Sequence, residues 1–190
     1  MTRDKLAADA AFLTTRPNVL SIPRQEQRFA GSADWSGDEL PEAAILTYYL
    51  KKRHLIGDLK LEIFDADGKK LSTISGGRRR GINRVEWPMR LKGPKLPPAA
   101  NLVPNFFAFV GPRAASGTYT AKLTKNKDTF TSTFTLTPDP RATHTAEDRA
   151  LQVKLVNRLY GRLGDLTYTV EGIQAVRDSA KARAKQEADA

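Results

Sequence analysis

Cysteine is absent from the 190-residue chain. Disulfides, thiolate metal sites and cysteine nucleophiles are therefore excluded, although the compartment is not fixed by this. Histidine is scarce, with His54 and His144 the only two. A metal site draws several His or carboxylate ligands together. Nothing in the spacing brings these two to one place, so neither is read as a ligand. His54 ends the basic run KKRH at an expected strand end, and His144 precedes an expected helix cap. No apolar run approaches the ~20 residues that a membrane-crossing helix needs. The opening MTRDKLAADAAFLTT carries acids and has no long apolar centre, so it reads as neither a secretory signal nor a transit peptide. The expectation is a cytoplasmic protein, or a piece of a longer exported one.

Catalytic signatures are missing too. There is no G-x-S-x-G elbow and no phosphate loop ending in Gly-Lys-Ser/Thr. DADG (Asp65–Gly68) lacks the further ligands of a calcium loop and reads as a hairpin turn, with Gly68 free to take positive φ. Asp58, Glu62 and Glu86 read as outward-facing acids along strands. No cofactor or metal is implied.

Acids are outnumbered, 21 Asp and Glu against 31 Lys and Arg, which gives a formal charge of +10. Such a balance favours anionic contacts: nucleic acid, lipid headgroups or acidic protein. The densest run is SGGRRRGINRVEWPMR, with Arg78, Arg79 and Arg80 between glycines. Nucleic-acid modules with a β-face interleave aromatic and basic residues on one surface. Here Phe64 and Trp87 are expected on the apolar face and the arginines in a loop. That separation argues for a solvated connection and against specific nucleic-acid binding. The alternative is an anion-binding loop aided by Lys51, Lys52 and Arg53.

A hydrophobic share of 40% supports a real core. Three zones follow one another. Residues 1–42 combine a short helical start with linker or edge sequence: NVLSIP is an edge-strand candidate, and Trp35 is the one large apolar anchor. Residues 43–138 read as β, because LKLEIF and NRVEWPM alternate apolar and polar, and GTYTAKLT and TFTSTFTLT form a hairpin across KNKD. Leu61, Ile63, Phe64, Val85, Trp87, Tyr119 and Phe134 are the expected core. Short strands with regular turns indicate an Ig-like antiparallel β-sandwich. Within it, the proline-rich connection Arg90–Arg113 is expected to be ordered, because FFAFV (Phe106–Val110) is too apolar to stay in water. Residues 139–190 read as a helical extension, a long helix or a hairpin broken near Gly161–Gly164. Thr145 is its cap, with Glu147 and Asp148 in the first turn. Leu151, Leu155, Leu159, Leu163, Leu166, Val170 and Ile173 form an apolar stripe, an expected interface for a second helix.

The central segment is similar to the Ig-like module of flagellar hook-capping proteins and of many bacterial secreted proteins. Asp65, Gly68, Asn83, Trp87, Gly117 and Tyr119 carry that likeness. Over a longer span, PEAAILTYYLKKRH, RRRGINRVEWPMRLKGPKLPPAANLVP and LTPDPR resemble the C-terminal region of exported bacterial proteins that bear a sortilin-like, BNR-repeat β-propeller upstream. Those proteins are often labelled glycosyl hydrolases. The propeller is not in this sequence, so the resemblance transfers no catalytic residue. It implies a non-catalytic Ig-like accessory module of an exported protein, whose partner is its own propeller or a second helix. The alternative is a carbohydrate- or polyanion-binding sandwich using the basic loops and Trp35.

Overall fold

The computed structural model describes residues 2–14, 16–22, 42–97 and 110–188. Trp35 and residues 106–109 of FFAFV lie outside them. Among the described residues the chain runs through α1 (Arg3–Ala7), β1 (Ala10–Phe12), β2 (Asn18–Leu20), β3 (Ala44–Leu50), β4 (Leu59–Phe64), β5 (Lys70–Ser75), β6 (Gly81–Trp87), β7 (Gly117–Lys125), β8 (Asp128–Pro138) and α2 (Ala146–Ala188). Residues Met1–Met89 and Ala114–Thr143 form one compact unit. Arg90–Arg113 and His144–Ala190 form a second.

The first unit is the sandwich. One sheet has the order β1-β3-β6 and the other β2-β8-β7-β4-β5. This is the Ig-like arrangement, in which the first strand is split between the two sheets. β1 pairs antiparallel with β3, while β2 runs parallel to the end of β8. All other neighbours are antiparallel.

Alternation decides which faces are buried, because successive side chains of a strand point to opposite sides. Ala44, Leu46, Tyr48 and Leu50 of β3 point inward, as do Leu59, Leu61 and Ile63 of β4 and Val85 and Trp87 of β6. Tyr119, Ala121 and Leu123 of β7 meet them, with Phe134 and Leu136 of β8. Phe64 does not join: one residue beyond Ile63, the same alternation turns it to the outer face, where it is half-buried. The centre is aromatic. The Trp87 ring lies 5.5 Å from Tyr119 and 6.0 Å from Phe134, which are cross-strand partners. The Tyr119 hydroxyl donates to the Ala115 carbonyl at 2.7 Å. A tyrosine near the start of this strand, bonded a few residues upstream, is a hallmark of Ig-like sandwiches.

The ends are tied by polar groups. In the DADG turn, Asp65 accepts from the amides of Asp67 and Lys69, and Gly68 takes φ +76°. Asp139 accepts from the Ile22 amide at 2.9 Å and from the Arg141 guanidinium, fastening the end of β2 beside that of β8. Arg141 first, then these backbone donors, hold the Asp139 carboxyl far below the usual carboxylate range.

The second unit is built on α2, a continuous helix of 43 residues. Thr145 and Asp148 cap each other: the Asp148 amide donates to the Thr145 hydroxyl and the Thr145 amide to the Asp148 carboxylate. These bonds lower the Asp148 pKa. At 1.5 Å per residue the helix is about 65 Å long, and it passes Gly161 and Gly164 without folding back. A Cβ added at Gly161, Gly164 or Gly172 would meet nothing within 4 Å. Each Gly→Ala change is therefore expected to stabilise the helix by about 1 kcal/mol, raising the midpoint of its thermal unfolding followed by far-ultraviolet circular dichroism.

Candidate interaction surfaces

Two surfaces carry the residues singled out in the sequence. The first is one end of the sandwich. β3 ends and β6 begins there, since Leu50 is paired with Gly81. β4 begins and β7 ends there, since Leu59 is paired with Lys125. The register thus gathers the β3–β4 loop (51–58), the β5–β6 loop (76–80) and the β7–β8 turn. Lys51, Lys52 and Arg53 belong to the first loop and Arg78, Arg79 and Arg80 to the second, and all six are exposed.

Backbone bonds knit these loops together. The His54 amide donates to the Arg78 carbonyl at 3.0 Å, the Arg78 guanidinium to the Gly57 carbonyl at 3.2 Å, and the Asn126 amide to the Asp58 carbonyl at 2.9 Å. The buried Tyr48 hydroxyl donates to the Gly77 carbonyl at 2.6 Å. Burial pushes its pKa up to about 12, against the opposing charge of Arg78. Asn83 shapes the arginine turn from below: its Oδ1 accepts from the Arg79 amide, and its Nδ2 donates to the carbonyls of Arg79 and Gly81. Sequence reasoning placed Asn83 only within a fold pattern. The signal for its second role was the readiness of asparagine side chains to bond nearby backbone.

The cations at this end are not equally committed. The Lys51 ammonium donates to the Ala7 carbonyl at 3.0 Å, and Lys125 pairs with Asp9. Among the described residues, the side chains of Lys52, Arg53, Arg79 and Arg80 make no hydrogen bond or ion pair. His54 is buried, and its Nε2 has no partner among the described residues. No group of three or more His, Asp or Glu able to hold a metal ion occurs among them. A cavity of about 340 Å³ opens elsewhere on the sandwich, near β1 and β8. Its described lining includes Phe12, Leu46 and Phe134 with Lys5 and Arg16.

The second surface is α2. The single stripe read from the sequence divides in two. Steps of four residues advance about 40° each around a helix, so Leu163 is turned about 120° from Leu151. Leu163 and Val170 are half-buried on the side where Tyr160 and Thr167 meet the 92–95 segment. Tyr160 donates to the Lys92 carbonyl at 3.1 Å, Thr167 lies 2.7 Å from the Lys95 carbonyl, and Lys95 pairs with Glu171. Thr167 is the one fully buried residue of the helix. Leu155, Leu159, Leu166 and Ile173 lie on the adjoining flank of the same stripe and are exposed. The hydroxyls of Tyr160 and Thr167 were not legible as contacts, because their partners are backbone carbonyls that no sequence pattern marks.

No helix among the described residues is long and apolar enough to cross a membrane. Comparison of the chain with protein-family models, curated proteins and solved structures gave no match.

Proposed function

We propose that the chain is a non-catalytic Ig-like interaction module that associates through α2, with the same helix of a second copy as the partner. One observation carries this reading. Leu159, Leu166 and Ile173 follow one another at intervals of seven, and they are 66%, 50% and 64% exposed. A repeat of seven keeps side chains in line along a helix that winds around another helix. Leu155, four residues before the row, and Val176, three after it, are also exposed. The placement of this module in an exported β-propeller protein rests on the resemblance of residues 41–54, 78–104 and 136–141 alone.

Sedimentation equilibrium tests the helix. The full chain is expected to associate at concentrations up to ~100 μM. A Leu159→Asp/Leu166→Asp variant is expected to stay monomeric with unchanged helix content, and a chain ending at Pro140, which lacks α2, is expected to stay monomeric too. A full chain that remains monomeric throughout that range overturns the reading.

A second reading, a polyanion-binding sandwich, is favoured by the convergence of Lys51–Arg53 with Arg78–Arg80. Its carbohydrate form drew on Trp35, which lies outside the described residues.

A further inference from the structure

The loop that carries Lys51–Arg53 has a second property. Leu55 and Ile56, at adjacent positions, are 70% and 88% exposed. Single exposed aliphatic residues are ordinary on a protein surface. Two in succession, in a loop fastened to an arginine turn, form an apolar point with a cationic surround. The fastening is real, because Gly57 and His54 on either side of the pair both bond to Arg78. The point is therefore tied on both flanks, by a backbone bond at His54 and by the Arg78 side chain at Gly57. Ile82, the second residue of β6, is 64% exposed and stands next to the same end.

The neighbouring acids do not cancel the charge. Asp58 is paired with Lys60 at 3.3 Å and Asp9 with Lys125. Asp128 and Lys127 are neighbours in the β7–β8 turn and offset one another in net charge. Four cations remain uncommitted. Neither loop contains Phe, Tyr or Trp, so the surface lacks the stacking rings that bind single-stranded nucleic acid. Exposed aliphatic side chains also gain nothing from a phosphate backbone in water. They gain from the boundary between headgroups and acyl chains, where an apolar face sinks in while cations meet anionic lipids.

We propose that this end of the sandwich docks on an anionic lipid bilayer, with Leu55 and Ile56 entering below the headgroups and Lys52, Arg53, Arg79 and Arg80 meeting the lipid phosphates. The inference rests on the anion-binding reading of these loops and is independent of α2.

The test is cosedimentation of the full chain with vesicles of phosphatidylcholine alone and of phosphatidylcholine with phosphatidylserine. Binding is expected only to the second kind. Leu55→Ser/Ile56→Ser should weaken it about tenfold or more. Arg79→Ser/Arg80→Ser, which leaves the Arg78–Gly57 bond in place, should weaken it roughly twenty-five-fold, at about fivefold per charge. Because the chain has no cysteine, Ile56→Cys can carry an environment-sensitive nitrobenzoxadiazole label. Its emission should shift to the blue on binding, while the same label on Asp67→Cys, in the turn at the opposite end of β4, should not move. Heparin and duplex DNA serve as soluble polyanions. If they bind and the vesicles do not, the lipid proposal fails and the polyanion reading stands. If nothing binds, both fail. If vesicle binding is unchanged in Leu55→Ser/Ile56→Ser, or the label at residue 56 stays in water, the apolar point does not insert and the proposal is overturned.

Discussion

Trp87→Ala is expected to destabilise the sandwich by about 3–5 kcal/mol, the range for removing a large aromatic side chain from a packed interior. The indole is completely buried and touches both members of the Tyr119–Phe134 pair. Its loss would leave a cavity facing two rings that are themselves held by the β7–β8 ladder and cannot collapse into it. A second substitution separates bulk from polarity. The indole N–H of Trp87 has no hydrogen-bond partner among the described residues, and an unpaired buried donor costs about 1–3 kcal/mol. Trp87→Phe removes that cost along with part of the volume, so its net effect should be under about 2 kcal/mol. Urea unfolding followed by circular dichroism measures both. Equal losses for alanine and phenylalanine would show that volume is not what Trp87 contributes.

Gly111→Ala should have a large but local effect. Where the chain leaves the sandwich, Ala114 N–H donates to Met89 at 2.8 Å, Arg90 is bridged to Arg113, and Leu91 N–H donates to Pro112 at 2.8 Å. A Cβ on Gly111 would stand 2.0 Å from the Leu91 carbonyl oxygen. That contact is with backbone, which cannot rotate aside as a side chain can. Forcing such a clash costs about 1–3 kcal/mol or more, and the cheapest relief is to part the two strands. Hydrogen exchange should show Leu91 losing protection while Leu61 in β4 keeps it. Undiminished protection at Leu91 would mean that the two segments separate at no cost.

The sandwich was legible where one face of a strand is buried and the other wet. LKLEIF and GINRVEW display that difference directly, and Phe64 fell on the wrong face only because the alternation was not carried one residue further. β1 was not legible: Ala10–Phe12 is three residues long, too short for any period, and it follows a helical turn of similar composition. In α2, spacing by threes and fours marked the stripe from Leu151 to Ile173 but not which of its residues are covered, because the covering 92–95 segment is met through backbone carbonyls. The six cations were visible as two runs. Their convergence depends on the register of β3 with β6 and of β4 with β7, which links residues far apart in sequence.

The parallel seating of β2 against β8 also orders events in time. Ile22 and Asp139, which close that pairing, are 117 residues apart. At a synthesis rate of about 5–20 residues per second, β2 waits on the order of ten seconds for its partner strand to emerge. The β4–β5 and β7–β8 hairpins can form within microseconds of their own completion. On the ribosome, therefore, one of the first strands to be made is the last to be seated, and Val19 and Leu20 remain open to a chaperone until the sandwich is otherwise assembled.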